Sequence, residues 1–207
     1  MRDMTPLCQL ARKHETDKGG RHYRYGGQES DTCHEYTPVY WDLLHDKRTA
    51  VKHVLEIGVN AGSSLRLWKE FFPYAEIVGF DIRPETLFQD DRIHCIGCDQ
   101  SNMRSLVYAM SLVGPDKPCF DLIIDDGSHE DAHQITTMLT LLPFMKRDGI
   151  YVIEDLNMDC KPEIIAKHLP DQYTWEAIPC PDGLGKAKGC GCGCGSPEQL
   201  LVIRVKQ

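Results

Sequence analysis

Apolar runs of strand length alternate with amphipathic segments through the middle of the chain, and this alternation restricts the fold more than any other feature. The runs are rich in β-branched residues and occupy 51–58, 76–82, 120–126 and 149–155, with a weaker fifth at 93–99. Apolar residues at helical spacing occupy 63–72, 101–113 and 130–145. Because strands that alternate with helices form parallel sheets through right-handed crossovers, the sequence predicts an α/β fold with helices on both faces of the sheet.

The two ends of the chain depart from this alternation. Near the C-terminus, YTWEAIPC and QLLVIRV are strand-like runs with no helical segment between them, which predicts an antiparallel hairpin. Residues 1–48 are irregular and rich in Gly, His, Tyr and charge. We expect them to form a helix and loop cap of the same domain as the catalytic part, 49–207.

Charge and composition restrict the partners and the compartment. Lys and Arg number 23 against 31 Asp and Glu, a net charge of −8, so the surface repels phosphate backbones and nucleic acid is not an expected partner. No run approaches the roughly 18 apolar residues of a membrane span. The first twenty residues also lack the apolar region of a signal peptide. We therefore expect a soluble cytoplasmic protein with reduced thiols and no membrane partner.

A glycine-cysteine run at 189–195 leaves two interpretations open. Its cysteines, Cys190, Cys192 and Cys194, are soft ligands that a metal ion can use. Alternating glycine supplies no rigidity to preorganise those ligands, which favours a flexible surface loop with reduced thiols.

A glycine turn joins the first core strand to the first helix in the stretch LEIGVNAG. Glycine lets a backbone approach a ligand closely, and the helix that follows offers unpaired amides. Asp81 ends the next strand, where an acidic group binds ribose hydroxyls in nucleotide-binding folds. A nicotinamide site requires G-x-G-x-x-G, but Asn60 and Ser63 replace two of the three glycines, which disfavours a dinucleotide site.

The pattern Glu-x-Gly-x-Asn-x-Gly, with Asp81 after the second strand and Asp99 after the third, resembles the class I S-adenosylmethionine-dependent methyltransferases over residues 50 to 205. The resemblance implies a Rossmann-like, seven-stranded, mostly parallel sheet with an antiparallel last strand. It also implies that the glycine turn passes under the amino acid part of the cofactor, that Asp81 holds the ribose and that Asp99 faces the adenine amino group. The predicted cofactor-binding residues are Glu56, Gly58, Asn60, Gly62, Asp81, Asp99 and Asp125.

Three further carboxylates follow the last two core strands. Asp126 ends the fourth strand, and Glu154 and Asp155 end the fifth, so a parallel sheet brings them to one edge. Oxygen ligands of this kind suit Mg²⁺. Asp125 is an alternative to Asp126 as a ligand, because successive strand residues point to opposite faces and the sequence does not show the register. His129, in the next turn, is the candidate catalytic base, since imidazole titrates near neutral pH.

DDGSH followed by GIYVIEDL is similar to the metal-dependent O-methyltransferases that act on sugar hydroxyls of macrolide antibiotics, and to the related cephalosporin hydroxylases. The N-terminal TDKG and HEYTPVY are similar to the macrolide-sugar group as well. The resemblance implies Mg²⁺-dependent transfer of a methyl group from S-adenosylmethionine to a hydroxyl of a small molecule, a sugar or another vicinal diol; homo-oligomerisation stays open. Aromatic residues of the cap either wall the acceptor pocket or pack the cap onto the core: Tyr23, Tyr25, Tyr36, Tyr40 and Trp41.

Other functions remain open at this point. His129, Glu130 and His133 fit the H-E-x-x-H pattern of zinc peptidases, although His129 follows a strand end rather than lying within a helix. Two histidines and one carboxylate, His129, His133 and Glu154, could form the face of a non-haem iron hydroxylase. A methyltransferase-like fold that serves only as a binding module would need none of the metal acids.

Overall fold

The computed structural model describes residues 4–19, 24–25, 28–29, 34–114, 120–156, 162–180 and 199–207. The glycine-cysteine run at 189–195 and Tyr23 lie outside these residues, as does the side chain of Tyr25. In the described part of the chain, no helix is long and apolar enough to cross a membrane.

An eight-stranded sheet forms the centre of the fold. Its strands are β3 (His53–Ile57), β4 (Glu76–Asp81), β5 (Gln89–Asp90), β6 (Ile93–Gly97), β7 (Phe120–Asp125), β8 (Met145–Ile153), β9 (Tyr173–Pro179) and β10 (Gln199–Val205), whereas β1 (Arg24–Tyr25) and β2 (Gln28–Glu29) form a separate antiparallel pair. The order across the sheet is β5-β6-β4-β3-β7-β8-β10-β9.

The direction of the strands confirms the predicted class I methyltransferase fold. Strands β6, β4, β3, β7 and β8 are parallel neighbours, and β10 runs antiparallel to both β8 and β9. The sheet has eight strands rather than seven because the two-residue β5 pairs with the edge of β6.

Helices cover both faces of the sheet: α1 (Pro6–Lys13), α2 (Tyr36–Leu44), α3 (Ser63–Phe71), α4 (Met103–Val113), α5 (Asp131–Leu141) and α6 (Pro162–Ala166). Buried residues of α1 to α3 share one apolar cluster, and those of α4 to α6 share the other. Successive strand residues such as Val54 and Leu55 enter opposite clusters, as the two-residue period of a strand requires. The predicted helix over 130–145 is too long: α5 ends at Leu141, and Pro143, which lacks an amide donor, lies in the short turn before β8.

The N-terminal segment contributes to the core of the domain. Leu7 and Ala11 of α1 have no exposed surface, and neither does Tyr40 of α2. Helix α1 begins at a local cap, because Oγ1 of Thr5 accepts a hydrogen bond of 3.2 Å from the amide of Cys8. The segment therefore packs on one face of the sheet. The predicted division between 1–48 and 49–207 stays a prediction.

Candidate active site

A cavity of about 670 Å³ lies at the carboxyl ends of β3, β4, β6 and β7, where ligands bind in open α/β sheets. The predicted site residues that line it are Gly58, Asn60, Asp81, Asp99, Asp126, His129 and Asp155. The others, Glu56, Gly62, Asp125 and Glu154, are absent from its lining. Glu15, Thr16 and Asp17 of the N-terminal segment also form part of the wall.

Gly58 and Gly62, the two glycines of the turn, are needed for different structural reasons. Gly58 has a φ of 96°, and a Cβ built there would lie 2.0 Å from the carbonyl oxygen of Asp126. Glycine at this position therefore allows the chains that leave β3 and β7 to touch. Gly62, with a φ of 74°, precedes α3, and a Cβ there would lie 2.4 Å from Cε1 of Phe88. The sequence predicted that Gly62 contacts the cofactor. In the structure, glycine is needed at this position because of its positive φ and because the side chain of Phe88 packs against it.

Asp81 is held beneath the glycine turn. Its Oδ2 accepts hydrogen bonds from the amides of Val59 at 2.9 Å and Asn60 at 3.1 Å, and its Oδ1 accepts one from the amide of Arg83 at 2.9 Å. Burial by itself raises the pKa of Asp81, but the hydrogen bonds from Arg83, Val59 and Asn60 outweigh burial and lower that pKa. The result is an ionised acceptor of fixed orientation at the edge of the cavity.

Asp99 lies at the end of the neighbouring strand. Its Oδ1 accepts hydrogen bonds from the amide and the hydroxyl of Ser101, at 2.9 and 2.7 Å, and its own amide donates to Oγ of Ser105. These bonds fix the carboxylate at the cavity wall.

Asp126, His129 and Asp155 form a group that can bind a metal ion. Each offers one ligand atom, and these atoms lie within 4.8 Å of one another. Nε2 of His129 is 3.7 Å from Oδ2 of Asp155. In the described part of the chain, Nδ1 of His129 is buried without a hydrogen-bond partner. His129 and Asp155 have positive φ values of 59° and 48°, a conformation that costs on the order of 1–3 kcal/mol and is concentrated at functional sites.

A buried lysine lies behind this group. Nζ of Lys18 is 2.5 Å from Oε2 of Glu154 and 3.2 Å from Oε1 of Glu56, and it also pairs with Oδ2 of Asp126. Burial by itself lowers the pKa of Lys18, but the attraction of Asp126, Glu154 and Glu56 outweighs burial and holds that pKa well above its ordinary value. The ammonium is therefore charged.

In both Glu154 and Glu56, the carboxylate oxygen that does not contact Lys18 accepts a hydrogen bond from an aromatic side chain. Oη of Tyr40 donates to Oε1 of Glu154 at 2.5 Å, and Nε1 of Trp68 donates to Oε2 of Glu56 at 2.9 Å. Glu56 has no exposed surface, so the structure places this predicted cofactor contact in a buried network instead.

Asp155 is bound from the N-terminal segment as well. Oη of Tyr36 donates to Oδ1 of Asp155, and Nδ1 of His34 lies 3.4 Å from the same oxygen. Burial by itself raises the pKa of Asp155, but His34, His129 and the hydrogen bond from Tyr36 outweigh burial and lower that pKa. An ionised carboxylate thus adjoins His129.

The register of β7 distinguishes Asp125 from Asp126. Asp125 has no exposed surface, and its Oδ1 accepts a hydrogen bond of 2.9 Å from Nε2 of Gln100. Oε1 of Gln100 accepts in turn from the amide of Ser128 at 2.6 Å. Burial raises the pKa of Asp125 to about 6. Asp125 was predicted to contact the cofactor or to replace Asp126 as a ligand. It instead helps to fix the turn that carries His129, because its side chain lies on the face of the sheet that α4 to α6 cover and binds Gln100 there.

Two curated proteins of known activity are similar in sequence to this chain. The 8-demethyl-8-alpha-L-rhamnosyl tetracenomycin-C 2'-O-methyltransferase of Streptomyces olivaceus is 34% identical over 180 residues, which are 84% of this chain and 43% of that protein. The mycinamicin VI 2''-O-methyltransferase of Micromonospora griseorubida is 39% identical over 140 residues, 64% of this chain and 34% of that protein. No family model matches the chain.

A solved structure of the methyltransferase MycE from the mycinamycin biosynthetic pathway, in complex with Mg and SAH, matches the fold with a TM-score of 0.62. The two are 34% identical, and the match covers 78% of this chain and 40% of MycE. The chain is a homologue of the antibiotic-sugar O-methyltransferases. It has their class I fold, and it spans less than half the length of the curated relatives that it matches.

The geometry of this methyltransferase homologue disfavours the other two metal enzymes. His129 lies before α5, which begins at Asp131, so His129 and His133 do not share a helix as a zinc peptidase requires. Nδ1 of His133 is 2.9 Å from Oγ of Ser128. In the described residues, the group able to bind a metal ion does not contain His133, so one of the two histidine ligands of the iron hydroxylase interpretation is missing.

The sequence did not predict that three residues of the methyltransferase homologue bind the carboxylates. Lys18 lies within TDKG, and Tyr36 and Tyr40 lie within HEYTPVY, the two motifs similar to the macrolide-sugar group. Both tyrosines were expected to wall the acceptor pocket or to pack the cap. They pack in the apolar cluster that α1 to α3 share, which agrees with the packing alternative, and their hydroxyls also bind Asp155 and Glu154. Trp41 packs against Phe71, in agreement with the packing alternative.

Proposed function

We propose that this chain binds S-adenosylmethionine and Mg²⁺ and transfers the methyl group to a hydroxyl of a sugar or another vicinal diol. The observation that carries this proposal is that two sets of residues line one cavity. The glycine turn, Asp81 and Asp99 form one part of the wall, and Asp126, His129 and Asp155 form the other. A cofactor and a metal-bound acceptor would therefore lie side by side.

The relatives support the same chemistry. They are O-methyltransferases that act on rhamnosyl tetracenomycin and on mycinamicin VI, and MycE has been solved with Mg, SAH and Mycinamycin VI together. Because this chain spans less than half of each curated relative, the activity and the acceptor stay proposals for this protein. A cytoplasmic location and a homo-oligomer also stay predictions.

We assign the cofactor to the wall formed by the glycine turn and the two acids. Gly58 offers a backbone that a ligand can approach, and Asp81 offers an ionised carboxylate for ribose hydroxyls. Asp99 would face the adenine amino group. Glu56 and Gly62 would support this wall from behind, because neither lines the cavity.

The donor atoms fit a hard divalent cation. Asp126 and Asp155 would bind Mg²⁺ directly. Glu154 shares the Lys18 ammonium with Asp126 behind this group, and its predicted role as the third ligand stays a proposal. When bound, Mg²⁺ lowers the pKa of a coordinated hydroxyl, and S-adenosylmethionine supplies an activated methyl group. Nε2 of His129 would accept the hydroxyl proton, and the Asp155 carboxylate at 3.7 Å would stabilise the resulting imidazolium. The walls of the cavity would align the acceptor oxygen with the methyl carbon.

Two measurements test the proposal. Titration calorimetry should detect binding of S-adenosylmethionine to the wild-type protein, and a transfer assay with methyl-labelled cofactor should show product from a panel of rhamnosides and catechols only when Mg²⁺ is present. Asp126→Asn should abolish transfer while cofactor affinity stays within about twofold of wild type. Asp91→Asn, at an exposed carboxylate, is the matched control and should transfer normally. Failure of the wild type to bind the cofactor would remove the proposal.

A further inference from the structure

We propose that Lys18 is a positioning residue of this site, whose ammonium holds Asp126 and Glu154 in the orientation that the cation requires. The proposal rests on the proposed metal site and extends it to the N-terminal segment. Lys18 would not touch the acceptor or the cofactor; it would act through the two carboxylates.

The first step is that three acids share one buried cation. The ammonium has three N–H donors, and three carboxylates surround it, on Glu56, Asp126 and Glu154. These acids come from β3 and from the residues that follow β7 and β8, so one side chain joins three adjacent strands at the edge of the cavity. The side chain of Lys18 is only 2% exposed. Burying an unpaired charge lowers the stability of the fold, so the Lys18 ammonium needs acidic partners. For the same reason, the three acids would destabilise the fold if no cation lay between them.

The second step is the way in which the backbone fixes Lys18. The amide of Thr16 donates to the carbonyl of Ala11 at 3.1 Å, and the carbonyl of Lys18 accepts from the amide of Thr37 at 3.1 Å. The amide of His34 donates to the carbonyl of Asp17 at 2.9 Å. The segment is therefore fastened to α1 on one side and to α2 on the other, and the lysine side chain has a fixed origin.

The third step is that Glu154 is fixed at both oxygens. Lys18 binds Oε2 and Tyr40 binds Oε1, so the rotamer of this carboxylate is determined by the N-terminal segment. Partners of this kind orient metal ligands, and their loss typically weakens metal binding about 10- to 100-fold. Removing the ammonium of Lys18 should therefore weaken metal binding to a similar extent.

The test uses variants of the full chain that distinguish the effect of the net charge around the metal site from the effect of losing the contacts of Lys18. Lys18→Met keeps most of the aliphatic side chain but leaves three acids without their cation. The double variant Lys18→Met with Glu56→Gln removes one positive and one negative charge, so the net charge around the metal site is unchanged. The wild type, which has the same net charge around the site, is the reference for the double variant, and Glu56→Gln alone shows what that substitution contributes. Lys13→Met removes an exposed lysine that pairs with Glu70. The measurements are thermal unfolding in chelator, Mg²⁺ affinity by calorimetry and cofactor affinity in chelator.

We expect Lys18→Met to unfold at a lower temperature in chelator than Lys13→Met, and Glu56→Gln to restore much of that loss in the double variant. We expect the double variant to bind Mg²⁺ about 10-fold or more weakly than the wild type, with cofactor affinity within about twofold. Equal Mg²⁺ affinities in these two proteins would overturn the positioning role, as would equal unfolding temperatures of Lys18→Met and Lys13→Met. If the wild-type protein does not bind Mg²⁺, the proposed metal site is refuted instead. The unfolding data are collected in chelator, so they test the pairing of Lys18 with the three acids independently of the metal.

Discussion

The hydroxyl of Tyr40 donates a hydrogen bond of 2.5 Å to Oε1 of Glu154, which lies 114 positions later in the chain. Tyr40 has no exposed surface and Glu154 has 1%, so water does not replace either partner. Through this contact, a helix that precedes the first core strand determines the orientation of a carboxylate at the end of β8.

Tyr40→Phe should lower the free energy of unfolding by about 1–3 kcal/mol, because a buried carboxylate oxygen loses its donor while the ring still packs edge-on against Trp68. Urea unfolding followed by fluorescence measures the change. Tyr108→Phe, at a position that is 63% exposed, is the control and should unfold as the wild type does. Equal stabilities of the two variants would show that the Tyr40 hydrogen bond contributes nothing.

Gly58→Ala should disturb both halves of the site. The new methyl group would overlap the carbonyl of Asp126, and the positive φ of Gly58 would strain any other residue. We expect a loss of at least about 1 kcal/mol in unfolding free energy and weaker binding of both cofactor and Mg²⁺. Calorimetry and thermal unfolding test this, with Gly97→Ala as a control, where the nearest atom is Cδ1 of Leu87 at 3.5 Å. Normal Mg²⁺ binding by Gly58→Ala would contradict the predicted link between the glycine turn and Asp126.

Asp81→Asn should weaken cofactor binding by about 10-fold or more. The amide group keeps the volume but presents one acceptor oxygen where the carboxylate binds the amides of Val59, Asn60 and Arg83 with two. The glycine turn would lose an anchor, and the ribose would lose an ionised partner. Calorimetry with S-adenosylmethionine measures the affinity. Asp90→Asn, at an exposed carboxylate that pairs with Lys69, should bind the cofactor normally.

Cys98 should be alkylated slowly at neutral pH and faster as the pH rises. Burial raises the pKa of this thiol to about 11, so the reactive thiolate is a minor species near pH 8. Iodoacetamide labelling, located by peptide mass spectrometry, should accelerate roughly tenfold per pH unit between pH 7.5 and 9.5. Because Cys98 lines the cavity, saturating cofactor should slow labelling further. Labelling at pH 7.5 as fast as in urea-unfolded protein would refute the buried, protonated thiol.

The sheet was predictable from the sequence because its signal is local. Runs such as 120–126 are mostly apolar and end in acids, and the segments between the runs have helical periodicity. The ends of the strands, and the edge of the sheet at which the acids meet, therefore follow from the pattern. Asp81, Asp126 and Asp155 were placed at the cavity in this way. The end of α5 at Leu141 does not follow from the periodicity, because apolar residues continue at helical spacing past Pro143, which cannot continue the helix.

The direction of individual side chains was not predictable. Glu56 and Asp125 lie next to residues that line the cavity, and only the register of β3 and β7 shows that both point into buried networks. Lys18 was missed for a different reason. Its partners are 38 to 136 positions away and its own segment has no periodic pattern, so nothing local reveals that its ammonium is buried.

The chain leaves and returns at one place beside the cavity, since Asp17 and His34 are joined by a backbone hydrogen bond. A second backbone hydrogen bond, from the amide of Thr37 to the carbonyl of Lys18, joins the same two stretches of chain. A substitution that breaks this pairing would therefore displace the Lys18 ammonium and the Tyr36 hydroxyl together, and the carboxylates of Asp126 and Asp155 would lose these partners in one event.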